Sequence, residues 1–123
     1  LLVPHVDVLC PPLYSYYRSD DPAEHQRHLD NWKVFARQTI AEARRIAPSK
    51  PVYVFTWPQY HSGGSVKGYP FLDAQTWRAQ LETIRSLADG LILWGGWNFQ
   101  TNKPLPWDPD APWYQIYREV FRP

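Results

Sequence analysis

Apolar residues recur along the chain with two different spacings, which predict alternating strands and helices. Short, nearly continuous apolar runs at residues 6–10, 51–56 and 89–97 predict buried strands. Glycines bound the third run on both sides, so we expect a fully buried strand with Trp94 at its carboxyl end. Between and after these runs, apolar residues at steps of three and four predict three amphipathic helices. Their apolar stripes are Leu29, Trp32, Ala36, Ile40, Ala43 and Ala47; Trp77, Leu81, Ile84 and Ala88; and Trp113, Ile116, Tyr117, Val120 and Phe121.

Local signals predict where these elements begin and end. Asp21 suits the N-cap of the first helix, with Pro22 at its first position, and Asp73 suits the N-cap of the second. Gly90 is expected to close the second helix in a left-handed conformation. The two prolines at residues 11–12 are expected to end the first strand, because neither donates a backbone hydrogen bond.

The order β-α-β-α-β-α with continuous apolar strands predicts an α/β fold with a parallel sheet covered on both faces by helices. Three parallel strands leave two open edges, and a (β/α)8 barrel needs about 250 residues. We therefore predict that residues 1–123 are a single α/β segment, the last three strands of a (β/α)8 TIM barrel. The expected partner is the missing N-terminal part of the same barrel. An independent α/β protein that dimerises through its sheet edges is the alternative.

Composition excludes several classes of function. The net charge is +1 and Lys and Arg form no stripe, so we expect no nucleic-acid partner. No apolar run approaches the roughly 20 residues of a membrane span, so we expect no membrane partner. A single cysteine excludes an internal disulfide and a cysteine-rich metal site. Phosphate-loop and dinucleotide motifs are absent, so we expect neither a metal nor a cofactor.

Aromatic residues are the main candidates for a binding site. The chain has 7 Trp and 8 Tyr, and several fall in predicted loops, as in surfaces that bind sugars. Trp94 stands at the carboxyl end of a strand, where parallel folds bind their ligands. Trp57, Tyr60 and His61 share the loop after the second strand, and Trp97 follows the third. We predict that these five residues bind the substrate.

Carboxylates suited to glycoside hydrolysis are not paired in this sequence. That reaction needs a proton-donating acid and a second group that stabilises positive charge on the sugar. Asp7 falls within a predicted strand, Asp20 and Asp21 fit a turn and a helix cap, and Asp108 and Asp110 fall in a proline-rich loop. If the protein is a hydrolase, its catalytic carboxylates are expected outside this chain.

Four blocks of the sequence resemble the last three strands of hyaluronidase-type glycoside hydrolases. They are CPPLY at 10–14, PVYVFT at 51–56, the segment 71–83, and ADGLILWG at 88–95. Order and approximate spacing agree over residues 6–97. The resemblance implies a TIM barrel that cleaves a polysaccharide or oligosaccharide containing N-acetylated sugars. It also implies that two acidic residues after the fourth strand, absent here, act with the acetamido group of the substrate.

The resemblance assigns roles to two residues. Tyr14 would match a tyrosine near the reacting sugar, an auxiliary catalytic residue, and Trp94 would match a tryptophan of the same subsite. The sequence also departs from the family, because Trp57 stands where an arginine is common and no cysteine follows the last strand. We predict part of a glycoside hydrolase, secreted or periplasmic, that supplies substrate-cleft loops. A non-catalytic carbohydrate-binding or scaffold barrel is the alternative; an Asp-x-Glu strand end about 100 residues before Leu1 would favour the enzyme.

Overall fold

The computed structural model describes residues 3–122, in which the three predicted helices and the second and third predicted strands are present. A short 3-10 helix, Val3–His5, comes first. The remaining elements are α1 (Pro22–Ile46), β1 (Tyr53–Thr56), α2 (Ala74–Leu87), β2 (Gly90–Leu93), β3 (Trp97–Asn98), β4 (Lys103–Pro104) and α3 (Pro112–Phe121).

Both predicted N-caps are confirmed. The Asp21 carboxylate accepts a hydrogen bond from the Glu24 N–H at 2.8 Å, and the Asp73 carboxylate accepts one from the Thr76 N–H at 2.9 Å. Each bond satisfies an N–H group that has no partner within its own helix. The Glu24 carboxylate in turn accepts the Ser19 hydroxyl at 2.6 Å, which ties the preceding turn to α1. Local sequence chemistry therefore sets where both long helices start.

The first predicted strand is displaced toward the prolines that were expected to end it. Backbone groups of Leu9, Pro11 and Leu13 form four hydrogen bonds of 2.8 to 3.0 Å with residues 51–55, in a parallel arrangement. The expectation that the prolines stop pairing is wrong, because the Pro11 carbonyl still accepts a bond and Leu13 still donates one. The missing N–H of Pro11 leaves a gap, so isolated bridges replace a continuous strand. We call residues 9–13 the bridge segment.

Helices cover one face of this sheet, not both. β1 lies between the bridge segment and β2, and it pairs with β2 in parallel register. Val52 and Val54 are fully buried and pack with α1 and with Ile84 of α2. Tyr53 and Phe55 point to the opposite face, where Tyr53 is 40% exposed. Within residues 3–122 neither apolar cluster that contains the helices includes a residue of that second face, so the prediction that helices cover both faces is wrong.

β2 is less buried than the sequence predicts. All four of its residues are half-buried, because β1 borders only one of its edges. Gly90 opens this strand and has no left-handed backbone, so its predicted role as a helix cap is also wrong. A Cβ at Gly90 would lie 2.7 Å from Cδ1 of Tyr53. Glycine is favoured here, because a Cβ would displace the Tyr53 ring.

Two apolar clusters hold the helices to the sheet. The first joins α1, β1 and α2, and the second joins α2 to α3 and the loop after β1. Their buried members are Leu13, Trp32, Ala36, Ile40, Ala43, Val52, Val54 and Ile84; and Tyr60, Val66, Leu72, Trp77, Leu81, Ile116 and Val120. The predicted stripes on all three helices therefore face the core, and Ala88 packs at the edge of the first cluster.

Polar contacts fix the start of β2 to its neighbours. Arg44 on α1 donates to the Asp89 carboxylate at 3.1 Å and to the Leu87 carbonyl at 2.8 Å. Asp89 also accepts the Val52 N–H at 2.8 Å. The hydrogen bond from Arg44, followed by that from Val52, lowers the pKa of Asp89 below its ordinary value.

After β2 the chain forms a short hairpin that the sequence does not predict. Trp97–Asn98 pairs with Lys103–Pro104 in antiparallel register. Two residue pairs alone make a marginal hairpin in water. None of the helices described for residues 3–122 combines the length and apolar character that a membrane crossing needs.

Candidate functional site

Seven side chains line a cleft of about 280 Å³ at the carboxyl ends of the parallel segments. Three loops contribute them, one after each of the bridge segment, β1 and β2. The lining residues are Tyr14, Trp57, His61, Tyr69, Trp94, Trp97 and Asn102. We call this set the aromatic cleft. Five of the six residues that the sequence singles out lie here, although they are up to 83 positions apart, from Tyr14 to Trp97.

His61 lies at the centre of the aromatic contacts in the cleft. Its ring stacks on Tyr14, with centroids 5.9 Å apart and planes 10° from parallel. Trp57 meets His61 edge-on at 6.3 Å, and Tyr69 contacts Trp57 at 5.1 Å. Aromatic pairs with such geometries stabilise a structure beyond the area they bury. These contacts join the first and second loops through one continuous aromatic network.

Hydrogen bonds fix the orientation of His61. Its backbone N–H donates to the Ser15 carbonyl at 2.7 Å, and its Nδ1 accepts the Gly63 N–H at 3.1 Å. Because Nδ1 acts as an acceptor, the proton of the neutral imidazole is on Nε2. The ring therefore keeps an N–H donor on Nε2.

The three tryptophans of the cleft differ in how their indoles are held. Trp57 Nε1 donates to the Gly95 carbonyl at 2.8 Å, and Trp97 Nε1 donates to Asn102 Oδ1 at 3.3 Å. Trp94 is 50% exposed and leans on Phe55 with ring centroids 6.2 Å apart. Hydrogen bonds therefore fix the indoles of Trp57 and Trp97 in the lining of the cleft, whereas half of the Trp94 surface is accessible to a ligand.

The cleft contains two residues that the sequence analysis missed, Tyr69 and Asn102. Each has a φ of 52°, in the left-handed region that residues other than glycine rarely adopt. Asparagine tolerates this region well, so the sequence weakly indicates a turn at Asn102. The sequence does not indicate a left-handed backbone at Tyr69, because a bulky aromatic residue is unfavourable in that conformation. Strained backbone of this kind concentrates at functional sites.

Tyr60 does not line the aromatic cleft. It is 2% exposed, and burial, with a smaller effect of the Asp73 charge, raises its pKa to about 12. Adjacent residues of an extended segment point to opposite sides, so Tyr60 points away while His61 enters the cleft. Tyr60 instead borders a second cavity of about 500 Å³ next to α1 and α2, and Tyr14 borders both cavities.

The described lining of the aromatic cleft carries no acidic side chain. Within residues 3–122 there is also no group of three His, Cys, Asp or Glu side chains arranged to hold a metal ion. The lining offers flat apolar faces, two phenols, an imidazole N–H and an amide. Such a surface suits a polar ligand with apolar C–H faces, and it lacks the acid needed to cleave a glycosidic bond.

Comparison with known proteins reveals a structural resemblance. No protein-family model matches the chain, and no curated protein sequence matches it. Among solved structures, bee venom hyaluronidase in complex with a hyaluronic acid tetramer matches 73% of this chain, with a TM-score of 0.54 and 26% identity. The match covers 26% of the hyaluronidase, so this chain spans about a quarter of its length. The chain therefore has a distant structural resemblance to a hyaluronidase, which is a glycoside hydrolase.

Proposed function

We propose that this chain is part of a glycoside hydrolase and that its aromatic cleft binds a polysaccharide or oligosaccharide containing N-acetylated sugars. The observation that carries the proposal is the convergence of aromatic side chains from three loops at the carboxyl ends of parallel segments. The structural neighbour, a hyaluronidase with a hyaluronic acid tetramer, supports the choice of ligand.

The residues of the cleft have separate roles in this proposal. The half-exposed indole of Trp94 stacks on the C–H face of a sugar ring. Trp57 and Trp97 are walls, and His61 Nε2–H donates a hydrogen bond to a hydroxyl or carbonyl of the sugar. Tyr14, held parallel to His61, is an auxiliary group whose hydroxyl orients the reacting sugar. Tyr60 lies outside the cleft and has no role in it.

The remainder of a TIM barrel completes the site in this proposal. The outer edges of the bridge segment and β2, and the face of Tyr53 and Phe55, adjoin the missing strands of the same barrel. Helices on one face of a parallel sheet are the arrangement a (β/α)8 barrel has. The catalytic carboxylates would come from that missing part, since no acidic side chain lines the described cleft.

A non-catalytic carbohydrate-binding barrel is the second candidate, favoured by the same lack of an acidic side chain among the described cleft residues. The two candidates differ in the residues upstream of this chain. A strand that ends in Asp-x-Glu about 100 residues before Leu1 favours the hydrolase, and a neutral pair at that position favours the binding protein.

The experiment is a titration of the protein with hyaluronic acid tetramer, followed by NMR of the tryptophan indole N–H signals. Saturable shifts of the Trp94, Trp97 and Trp57 signals are expected, with weaker or no shifts for a glucose tetrasaccharide that lacks acetamido groups. Absence of binding, or shifts confined to Trp107 and Trp32 outside the cleft, would overturn the proposal. Incubation of this chain with polymeric hyaluronic acid should release no reducing ends. Their release would contradict the proposal that the catalytic carboxylates lie outside this chain.

A further inference from the structure

Gln59 is a buried polar residue at the base of the loop that follows β1. Only 2% of its surface is exposed. The loop closes beside it, where the Tyr60 N–H donates to the Pro70 carbonyl at 2.8 Å and the Leu72 N–H donates to the Pro58 carbonyl at 2.9 Å. Residues 58–60 and 70–72 thus pair at the neck of the loop, and the Gln59 side chain starts from that fixed point.

The Gln59 side chain links two loops of the aromatic cleft through three hydrogen bonds. Its Oε1 accepts the Trp97 N–H at 2.7 Å, and its Nε2 donates to the Trp97 carbonyl at 3.0 Å. The same Nε2 donates to the Tyr69 carbonyl at 2.6 Å. The amide therefore pairs with the Trp97 backbone as a neighbouring strand residue would, and it also holds Tyr69.

We propose that Gln59 is a positioning residue that sets the width of the aromatic cleft by fixing Trp97 and Tyr69, which belong to different loops. The inference about ligand affinity rests on the proposed saccharide-binding function. The hairpin of β3 and β4 has only two residue pairs, so it needs an anchor outside itself. Tyr69 has a left-handed backbone, which holds only where its surroundings oppose relaxation. Gln59 supplies both constraints.

The chemistry of this position admits only a primary amide of this length. Two N–H donors and one carbonyl acceptor match two backbone carbonyls and one backbone N–H. A glutamate would place a carboxylate oxygen against the carbonyls of Tyr69 and Trp97, both of which only accept hydrogen bonds. An alanine would leave three part-buried backbone groups without their partner.

The first test compares Gln59→Ala with Gln80→Ala by amide hydrogen exchange. Gln80 is equally buried but donates to the Ser15 hydroxyl at 2.8 Å and does not line the cleft, so it controls for loss of a buried amide. Gln59→Ala should speed exchange of the Trp97 N–H by about tenfold or more relative to Gln80→Ala. Equal Trp97 exchange rates in the two variants would overturn the proposal.

A second variant keeps the test decisive if Gln59→Ala fails to fold. Gln59→Glu retains the oxygen that accepts the Trp97 N–H but loses both donors, so the Trp97 N–H should stay protected while the Tyr69 ring signals shift. Tetramer affinity should fall about fivefold or more in either Gln59 variant but not in Gln80→Ala. Unchanged Tyr69 signals in Gln59→Glu would contradict the positioning role.

The two proposals fail in different ways. Exchange of the Trp97 N–H and the Tyr69 signals are measured without saccharide, so they judge Gln59 by itself. If the parent protein does not bind the tetramer, the saccharide proposal fails, while the exchange result still decides the role of Gln59. If the parent binds and Gln59→Ala binds equally well, cleft width does not depend on Gln59.

Discussion

Replacing Trp94 with alanine removes the side chain that presents the most exposed surface among the tryptophans of the aromatic cleft. Half of Trp94 is exposed, and a tryptophan offers up to about 250 Å², so roughly 125 Å² is free for a ligand. A sugar that covers half to all of this area at about 25 cal/mol per Å² gains about 1.5–3 kcal/mol. The dissociation constant of the tetramer should therefore rise about 10- to 150-fold in Trp94→Ala.

The assay is isothermal titration calorimetry with hyaluronic acid tetramer, because it does not depend on tryptophan fluorescence. Trp107→Ala is the matched control, since Trp107 is 65% exposed and packs on Trp113 and Tyr114 away from the cleft. The stability cost of Trp94→Ala should be only about 1 kcal/mol, because its aromatic contact within the fold is Phe55.

Stacking of the saccharide on Trp94 is refuted if Trp94→Ala and Trp107→Ala bind the tetramer with the same affinity as the parent while both unfold cooperatively. A large loss of affinity in Trp107→Ala would be equally damaging, because it would move the binding surface to the proline-rich loop. Loss of affinity in Trp94→Ala alone supports stacking in the cleft.

Three further predictions concern stability. The lowered pKa of Asp89 stabilises the folded state at pH values above the pKa of this group in the unfolded chain, and the contribution disappears as pH falls through the folded-state pKa. Asp89→Asn should therefore lower Tm at neutral pH and flatten the decline of Tm below about pH 4. Calorimetry from neutral to acidic pH measures both effects. Gly64→Ala should lower the free energy of unfolding in urea by about 1–3 kcal/mol, because the new Cβ would lie 1.9 Å from the Tyr16 carbonyl oxygen. Gly95→Ala is the control and should match the parent, because the space around its Cβ is open. Leu81→Ala should cost about 2–5 kcal/mol in the same assay, since Leu81 is fully buried between α2 and α3; a cost below 1 kcal/mol would contradict that packing.

Helix positions were predictable because their signals are local. Asp21 and Asp73 cap N–H groups only three residues away, and the stripe from Leu29 to Ala47 repeats with the period of the helix itself. Such signals depend on neighbours within one or two turns, so a single sequence contains them in full.

Strand details were less predictable because they depend on distant partners. Pro11 was expected to end pairing, yet its carbonyl meets the Phe55 N–H across 44 positions. Gly90 looked like a helix cap, yet the ring of Tyr53 explains it. In each case the local pattern was compatible with two structures, and contact with β1 decided between them.

Some residues of the candidate site were likewise predictable from local signals, and others depend on contacts with distant residues. The sequence by itself determined that aromatic residues follow each parallel segment, because apolar runs, proline and glycine mark the strand ends and loops. These signals were enough to predict Trp57, His61 and Trp94 as candidate binding residues. Only the tertiary structure decided that Tyr60 points away, that Tyr69 enters with a left-handed backbone, and that Gln59 holds two loops together. The physical reason is that side-chain direction and loop pairing arise from hydrogen bonds between residues 10 to 38 positions apart, for which a single sequence carries no signal.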